Sequence, residues 1–376
     1  MSTDAPAYRS PWLKRPGAVE AEGADAGVAA HYGDPAREQR ELEAGRALVD
    51  LSHRGVVTLS GPDRLTWLDS ISSQAIAALQ PGDSAETLIL DPHGHIEHAA
   101  RLIDDGESTW LLLDAAQVEP LMAWLLRMRF MMRVEIDDRS ADVATLGLLA
   151  EPGTLGVEPA MGAGLPLVWR DPWPSVVSGG WQYAGDEHPA GSFDYREVLV
   201  PRSALAATDA PAAGVLALEA LRIAAWRPRF ANEVDERSIP HELDWLRTAV
   251  HLSKGCYRGQ ETVAKVHNLG HPPRRLVMLH LDGSDAILPR RGDAVMLDDR
   301  AIGEVTSVGR HHELGPVALA VVKRSADPAA TLTVVTEEGS VAAGQEVIVP
   351  PGAGATAQVQ RVPRLGAATR PSRPTA

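Results

Sequence analysis

Cysteine is nearly missing from this chain of 376 residues. Cys256 is its one thiol, so no disulfide can close within the chain, and that sulfur must be explained by packing, reactivity or metal contact. Long apolar runs are missing as well: nothing approaches the roughly 18 consecutive apolar residues that a membrane helix requires. Met1, Ser2, Thr3 and Asp4 lead into prolines and acids, so no secretory signal is expected and the default compartment is the cytoplasm. Positive charge is in short supply, with 36 lysines and arginines against 50 aspartates and glutamates and a net charge of −14. That balance repels phosphate, so direct binding of nucleic acid is not expected without a concentrated basic patch. Gly162 and Gly164 form a G-x-G with no third glycine, no Gly-Lys-Ser/Thr phosphate loop occurs, and there is no HExxH zinc motif, which leaves nucleotide and zinc-hydrolase readings without support.

What is present reads as a globular protein, 44% hydrophobic and 23% charged, of a length that suggests two or three cores. Residues 1–29 are rich in Ala, Gly, Pro and acids and read as a mobile or loosely docked arm. Arg54 to Leu59 reads as a strand, and Gly61 and Pro62 open a helix whose apolar side carries Leu65, Leu68 and Ile71. Leu88 to Leu90 and Thr109 to Leu113 read as strands. Val118, Leu121, Met122, Leu125, Met128 and Met132 recur at helical spacing, which predicts an amphipathic helix over 117–133 with its methionines as core filler. Glu197 to Val200 reads as a strand, and Val215 to Trp226 as a helix that Pro228 ends. Beyond Pro272 and Pro273 the pattern changes to short β-rich runs at 276–281, 294–297, 303–308, 317–322 and 331–335, the signature of a small barrel. The expected organisation is therefore a region over 30–272, a C-terminal β-barrel over 273–349 and a disordered basic tail over 350–376.

From Lys254 to Arg275 the chain carries Lys254, Arg258, Lys265, Arg274 and Arg275 against one acid, Glu261; such a segment suits an anionic small ligand or is a solvated loop. Within it stands the most specific string of the chain, Lys254, Gly255, Cys256, Tyr257, Arg258, Gly259, Gln260 and Glu261. KGCYRGQE is similar to the KGCYxGQE signature of the YgfZ-type proteins, folate-binding relatives of the glycine-cleavage T-protein (GcvT). Val49 to Gly55 reads VDLSHRG like the D-x-S-H-x-G of that superfamily, and Ser60 to Asp63, Glu219 to Ile223 (EALRI), Ile239 to Glu242 (IPHE) and Gly303 to Ser307 (GEVTS) follow in the expected order. The resemblance implies an α+β fold: a GcvT/YgfZ-like ring of two interleaved α+β subdomains followed by the barrel. It implies tetrahydrofolate or a one-carbon derivative as cofactor, and iron–sulfur assembly or client proteins as partners. Physically, the string has the makings of a ligand loop, with glycines that admit close approach and a thiol between two cations whose field should favour thiolate. One thiol cannot hold a cluster, which generally takes about four, so no intrinsic metal site is expected and any cluster contact by Cys256 would be shared with a partner.

In the superfamily a glutamate in a G-x-E-(I/V) strand meets the pterin ring, and Glu197 of EVLVP stands at the corresponding place; Arg222 is the further residue that the resemblance implies for folate. A carboxylate can accept two hydrogen bonds from the amidine-like edge of a pterin. The aminomethyltransferases resemble one another in a G-G-x-x-D-D segment, where this chain has Gly94, His95, Ile96, Glu97, His98 and Ala99. His98 and Ala99 thus replace the acids, Leu218 replaces an arginine four residues before Arg222, and Trp226 replaces a more usual glycine. Glu97 could substitute for the missing acid only if the strand register shifted, since neighbouring strand residues face opposite sides. His93, His95, His98 and Glu97 do not make a convincing metal set, and Gly270 and Pro272 stand against a shared helix face for His267 and His271. Three functions stay open: a tetrahydrofolate-binding accessory factor in iron–sulfur cluster assembly or repair, a folate-dependent aminomethyltransferase or demethylase with an altered acid, and a scaffold that has lost folate.

Overall fold

The computed structural model describes residues 8–185, 187–284 and 287–357. Two five-stranded sheets and a closed six-stranded barrel form its frame. Across the first sheet the order is Val168–Arg170, Arg196–Pro201, Val143–Leu148, Leu48–Asp50 and Ala212–Ala213; across the second it is Ser84–Leu90, Ile96–Asp104, Ser108–Leu113, Gly55–Ser60 and Glu135–Asp138. Leu48–Asp50 and Val143–Leu148 are hydrogen-bonded neighbours, yet every strand of the second sheet lies between them in sequence. The two subdomains are interleaved in this sense, as the resemblance implies.

Each layer follows from local chemistry. Helix Arg64–Ile71 buries Trp67, Leu68 and Ile71 against the second sheet, and helix Val118–Arg129 buries Leu121, Trp124 and Leu125 there; each such side chain stabilises by roughly 1.5–3 kcal/mol. The latter helix stops short of Arg133 because Phe130 takes φ 46 and ψ −113, a backbone that a helix cannot continue. The expectation of methionine core filler fails past that point: Met122 packs on the core, but Met128, Met131 and Met132 are 41%, 82% and 37% exposed. Helix Val215–Ala224 likewise ends before Trp226, which takes φ 58.

The barrel begins at Arg274, directly after the paired prolines, and its strands run in the order Arg274–Leu281, Gly315–Lys323, Arg300–His311, Ala294–Leu297, Leu332–Thr336 and Gly339–Val347. Gly339–Val347 escapes the sequence pattern because its only buried side chains are the small Val341 and Ala343. Residues 8–29 do not form a loose arm. Trp12 is 1% exposed and its indole Nε1 donates to the carbonyl of Leu205 at 2.7 Å, while Asp25 reaches Arg229; the sequence hid this because the segment has no periodicity, only anchor residues. Residues 1–7 and most of the expected tail, 358–376, lie outside the described residues; before them Ala353 is buried and the Thr356 amide donates to the carbonyl of His267. Among the described residues no helix is long and apolar enough to cross a membrane.

Candidate functional site

Where the two sheets meet helix Val215–Ala224, charged side chains rise from otherwise apolar strands. They line a cavity that opens in part to solvent, with about 570 Å³ of space when the solvent-filled mouth is included, bounded by both sheets, by Leu218, Glu219 and Arg222 of the helix, by Arg227 to Phe230 and by Trp245. Arg54 enters it from the tight turn before Gly55–Ser60, Arg101 from Ile96–Asp104, and Glu197 from the start of Arg196–Pro201.

Glu197 is fully buried. Its Oε1 accepts from Arg54 Nη1 at 2.6 Å and from the Tyr195 hydroxyl at 3.0 Å, and also from Arg101 Nη1. Its Oε2 is buried with no hydrogen-bond partner. A buried carboxylate oxygen without a donor carries a desolvation cost of several kcal/mol, so the site fits a ligand that presents N–H donors at that point. The structure thus places Glu197 in the cavity with one oxygen held by three donors and the other without one.

Arg222 also lines the cavity, but its five N–H groups are committed. Nε and Nη2 donate to Glu219 at 3.1 and 2.6 Å, Nη1 donates to the carbonyl of Arg227 at 2.6 Å and to Glu233 at 3.0 Å, and Nη2 donates also to Ser307 Oγ at 2.6 Å. No donor is left for a ligand, so direct folate contact through its guanidinium, the expectation for Arg222, is not what this geometry offers. Arg222 instead ties the helix to the barrel strand Arg300–His311 through Ser307. Two other cavity arginines have spare capacity. Arg227 Nε donates to Asp171 at 3.0 Å and its Nη2 to Glu86 at 2.7 Å, while its Nη1 is buried and unpartnered, and Arg54 Nε is likewise buried without a hydrogen-bond partner. Arg229 clamps Asp25 and Asp114 at 2.8 and 2.9 Å, and Asp25 also pairs with His53.

These environments split the acids. Burial alone would raise Asp114, but Arg229, Arg54 and Arg101 outweigh it and hold the carboxyl well below the usual carboxylate range. Asp25 is lowered likewise, Arg229 and His53 overcoming its burial. Asp171 goes the other way: burial pushes it up to about 6 in spite of Arg227, and neighbouring Glu86 adds to the rise. Sequence reading missed Arg54, Arg101, Asp114, Asp171 and Arg227. The available signal was charge inside strands, as with Arg101 in AARLID, and the W-R-P-R-F cluster just past a helix.

Of the two residues that replace the acids, Ala99 lines the cavity. His98 is buried, and that burial lowers its imidazole to about 4 against the opposing hydrogen bond with Gln117. The strand register does shift here: Ile89 pairs with His98 but Leu90 with Ile96, leaving Glu97 as the unpaired extra residue. Its carboxylate is nevertheless held by Arg258 at 2.7 Å. His93 is exposed and His95 bonds Asp91, and among the described residues no group of three or more His, Cys, Asp or Glu could hold a metal ion. Trp226 does not line the cavity; its left-handed backbone is the conformation that explains why glycine suits the position.

The KGCYRGQE string forms a loop that enters helix Gln260–Leu269 through Gly259. Gly259 has φ 84, and a Cβ there would lie 2.7 Å from the carbonyl oxygen of Asp91 and 3.0 Å from Gly94 Cα, so the loop packs on the turn that precedes strand Ile96–Asp104. Tyr257 is buried in the core between the second sheet and the barrel. Cys256 is exposed and is not among the residues lining the cavity. The two cations expected to flank and activate it are engaged elsewhere. Lys254 Nζ donates to the carbonyls of Asp69, Ser72 and Gln74 at 2.5, 2.9 and 2.7 Å, and Arg258 is held by Glu97. Gln260 Nε2 closes the loop on the carbonyl of Lys254 at 3.2 Å, and Glu261 is exposed. The helix ends at Leu269, so His267 and His271 share no helical face.

The family described as the GCVT N-terminal domain matches residues 10–150, and the one described as the glycine cleavage T-protein C-terminal barrel domain matches residues 274–353. An aminomethyltransferase of Nostoc sp. is 26% identical over 304 residues, covering 76% of this chain and 79% of that protein. An aminomethyltransferase of Bacillus subtilis is 24% identical over 302 residues, covering 76% and 82%. The crystal structure of the glycine cleavage system aminomethyltransferase T from Bartonella henselae superposes with a TM-score of 0.71 at 18% identity, over 92% of this chain and 98% of that one, which shows the shared fold. The chain thus carries, in order, the N-terminal and the C-terminal barrel domains of the glycine-cleavage T-protein superfamily.

Proposed function

We propose that the chain binds tetrahydrofolate or a one-carbon derivative in the central cavity and serves as an accessory factor in iron–sulfur cluster assembly or repair. The observation that carries folate binding is Glu197 Oε2, buried and without a donor while three donors fix the other oxygen. The N–H edge of a pterin would complete it, and Arg227 Nη1 offers a donor elsewhere in the lining of the same cavity. When bound, the folate would supply a carrier for a one-carbon unit. The protein's residues bind and orient it, but Ala99 and Leu218 stand where an acid and an arginine would assist transfer, and general acid–base help is typically worth 100-fold or more. Cys256, exposed and outside the cavity, is available to a partner protein that brings the remaining cluster thiolates. Its place in KGCYRGQE is what supports the iron–sulfur role.

Calorimetry with tetrahydrofolate tests the binding. Wild type should give saturable heat and Glu197→Gln should bind roughly 10–100-fold more weakly. The arginines oblige the amide oxygen to take the Oε1 place, so the amide nitrogen turns a donor toward the ligand's donors. A wild type with no saturable heat would leave only the scaffold. For the iron–sulfur role, wild type should restore a bacterium lacking its YgfZ-type protein and Cys256→Ala should not; equal rescue by both defeats it.

A second reading, a folate-dependent aminomethyltransferase or demethylase, is favoured by Asp171, a cavity carboxyl raised to about 6 that could move a proton near neutral pH. One-carbon transfer to tetrahydrofolate that is robust, survives Cys256→Ala and falls at least about 100-fold in Asp171→Asn would establish that reading over the first.

A further inference from the structure

Helix Val118–Arg129 turns Leu121, Trp124 and Leu125 inward and leaves on its outer side Glu119, Pro120, Ala123, Leu126 and Arg127, all exposed. The outer stripe runs on into Phe130, 88% exposed, and Met131, 82% exposed, with Leu126 at 48%. Isolated apolar residues on a surface are ordinary, whereas a contiguous stripe of this kind marks an interaction surface. Its charges are arranged in a particular way. Glu119, Ala123 and Arg127 follow one another at four-residue spacing on one helix face, with a small residue in the middle and opposite charges equally far to either side. Glu119 and Arg127 carry no side-chain hydrogen bond or ion pair within the described chain.

We propose that this face is a self-complementary contact through which two copies of the chain pair, their Val118–Arg129 helices antiparallel about a two-fold axis at Ala123. The axis makes each residue of one copy oppose its counterpart at equal distance from Ala123 in the other. Glu119 then faces the other copy's Arg127, and the pair occurs twice. Leu126 faces Pro120, and Phe130 covers Ala116, which is exposed in the short helical turn Ala115–Gln117 that precedes the helix. Ala123 against Ala123 allows the helix axes to approach to the short end of the usual 8–10 Å. A parallel arrangement would set Glu119 against Glu119 and Arg127 against Arg127, so the charges select the antiparallel one. A membrane is the less suitable occupant, because a protein of net charge −14 is repelled by an anionic surface.

Sedimentation equilibrium of the full chain tests the proposal. Wild type should dimerise, and Phe130→Ser should raise the dissociation constant about ten-fold or more. Glu119→Arg and Arg127→Glu should each weaken the dimer by a similar factor, since the axis doubles every like-charge encounter, and the double swap Glu119→Arg/Arg127→Glu should bring it back to within about three-fold of wild type. All these positions are exposed, so far-UV circular dichroism should be unchanged. A wild type that is monomeric at about 0.1 mM, a dimer indifferent to Phe130→Ser, or a double swap no tighter than the single ones overturns it.

Discussion

Lys254 belongs to the most distinctive string of the chain, and its chemistry is directed inward. Helix Arg64–Ile71 ends at Ser72, and the carbonyls of Asp69, Ser72 and Gln74 converge there on one ammonium, with the Asp69 carboxylate at 3.3 Å. A cation at a helix C-terminus satisfies carbonyls that have no partner within the helix and lies favourably in its dipole. Removing it strands those carbonyls, so Lys254→Met should lower stability by about 2–4 kcal/mol. Cys256, two residues on and exposed, should be replaceable by alanine within about 0.5 kcal/mol. Urea unfolding of the two variants checks this: comparable losses in both, or none in Lys254→Met, contradict the structural role of the lysine. The sequence made Cys256 and Lys254 legible as parts of one motif but not as parts with different tasks, because only the fold brings residues 69–74 to the lysine. Glu197 was legible only through the resemblance of its strand EVLVP to the superfamily. Next to Arg196 and at the edge of V-L-V, the residue alone reads as a strand-end surface glutamate, and its burial appears only in the fold.

At the scale of elements, the helices and strands with regular apolar spacing were readable, and their ends were not. Two helices stop at residues whose left-handed backbone no pattern reveals, Phe130 and Trp226. Trp226 shows which force decides. A non-glycine residue in that region is disfavoured by about 1–2 kcal/mol, but the indole is buried in the core and meets the His188 ring edge-on at 5.0 Å, and losing a buried Trp costs about 3–5 kcal/mol. Packing wins. Trp226→Gly should therefore destabilise by about 2–3 kcal/mol while leaving folate affinity within about three-fold, because the ring is outside the cavity. Thermal unfolding and calorimetry on one preparation would decide it; a more stable glycine variant would mean that backbone strain dominates. The bulge at Glu97 was beyond reach in the same way, since a one-residue slip leaves no mark in alternation that is already imperfect.

Across the whole molecule, buried acids respond to pH in opposite senses, a balance visible only once distant segments meet. Asp25 and Asp114 are lowered by arginines, so they contribute stability above the usual carboxylate range and lose it as pH falls. Asp171 and Asp244 are raised, to about 6 and about 7. A raised acid binds its proton in the folded chain when the unfolded chain has released it, so between about pH 4 and 7 stability drains away as pH rises. Asp244 is the clearer case. It is fully buried, its Oδ1 accepts from the Tyr183 amide at 2.7 Å, and its Oδ2 has no partner; burial raises it against the pull of Arg247. Its φ of 53 is one that asparagine adopts as readily as aspartate. Asp244→Asn keeps the acceptor for Tyr183 and abolishes the buried charge. Its stability should match wild type near pH 4 and exceed it progressively to pH 8, by at most about 4 kcal/mol. Thermal midpoints measured across that range provide the check. A variant equally displaced at every pH, or one that gains as pH falls, would show that Asp244 is ionised in the folded chain and that Arg247 outweighs its burial.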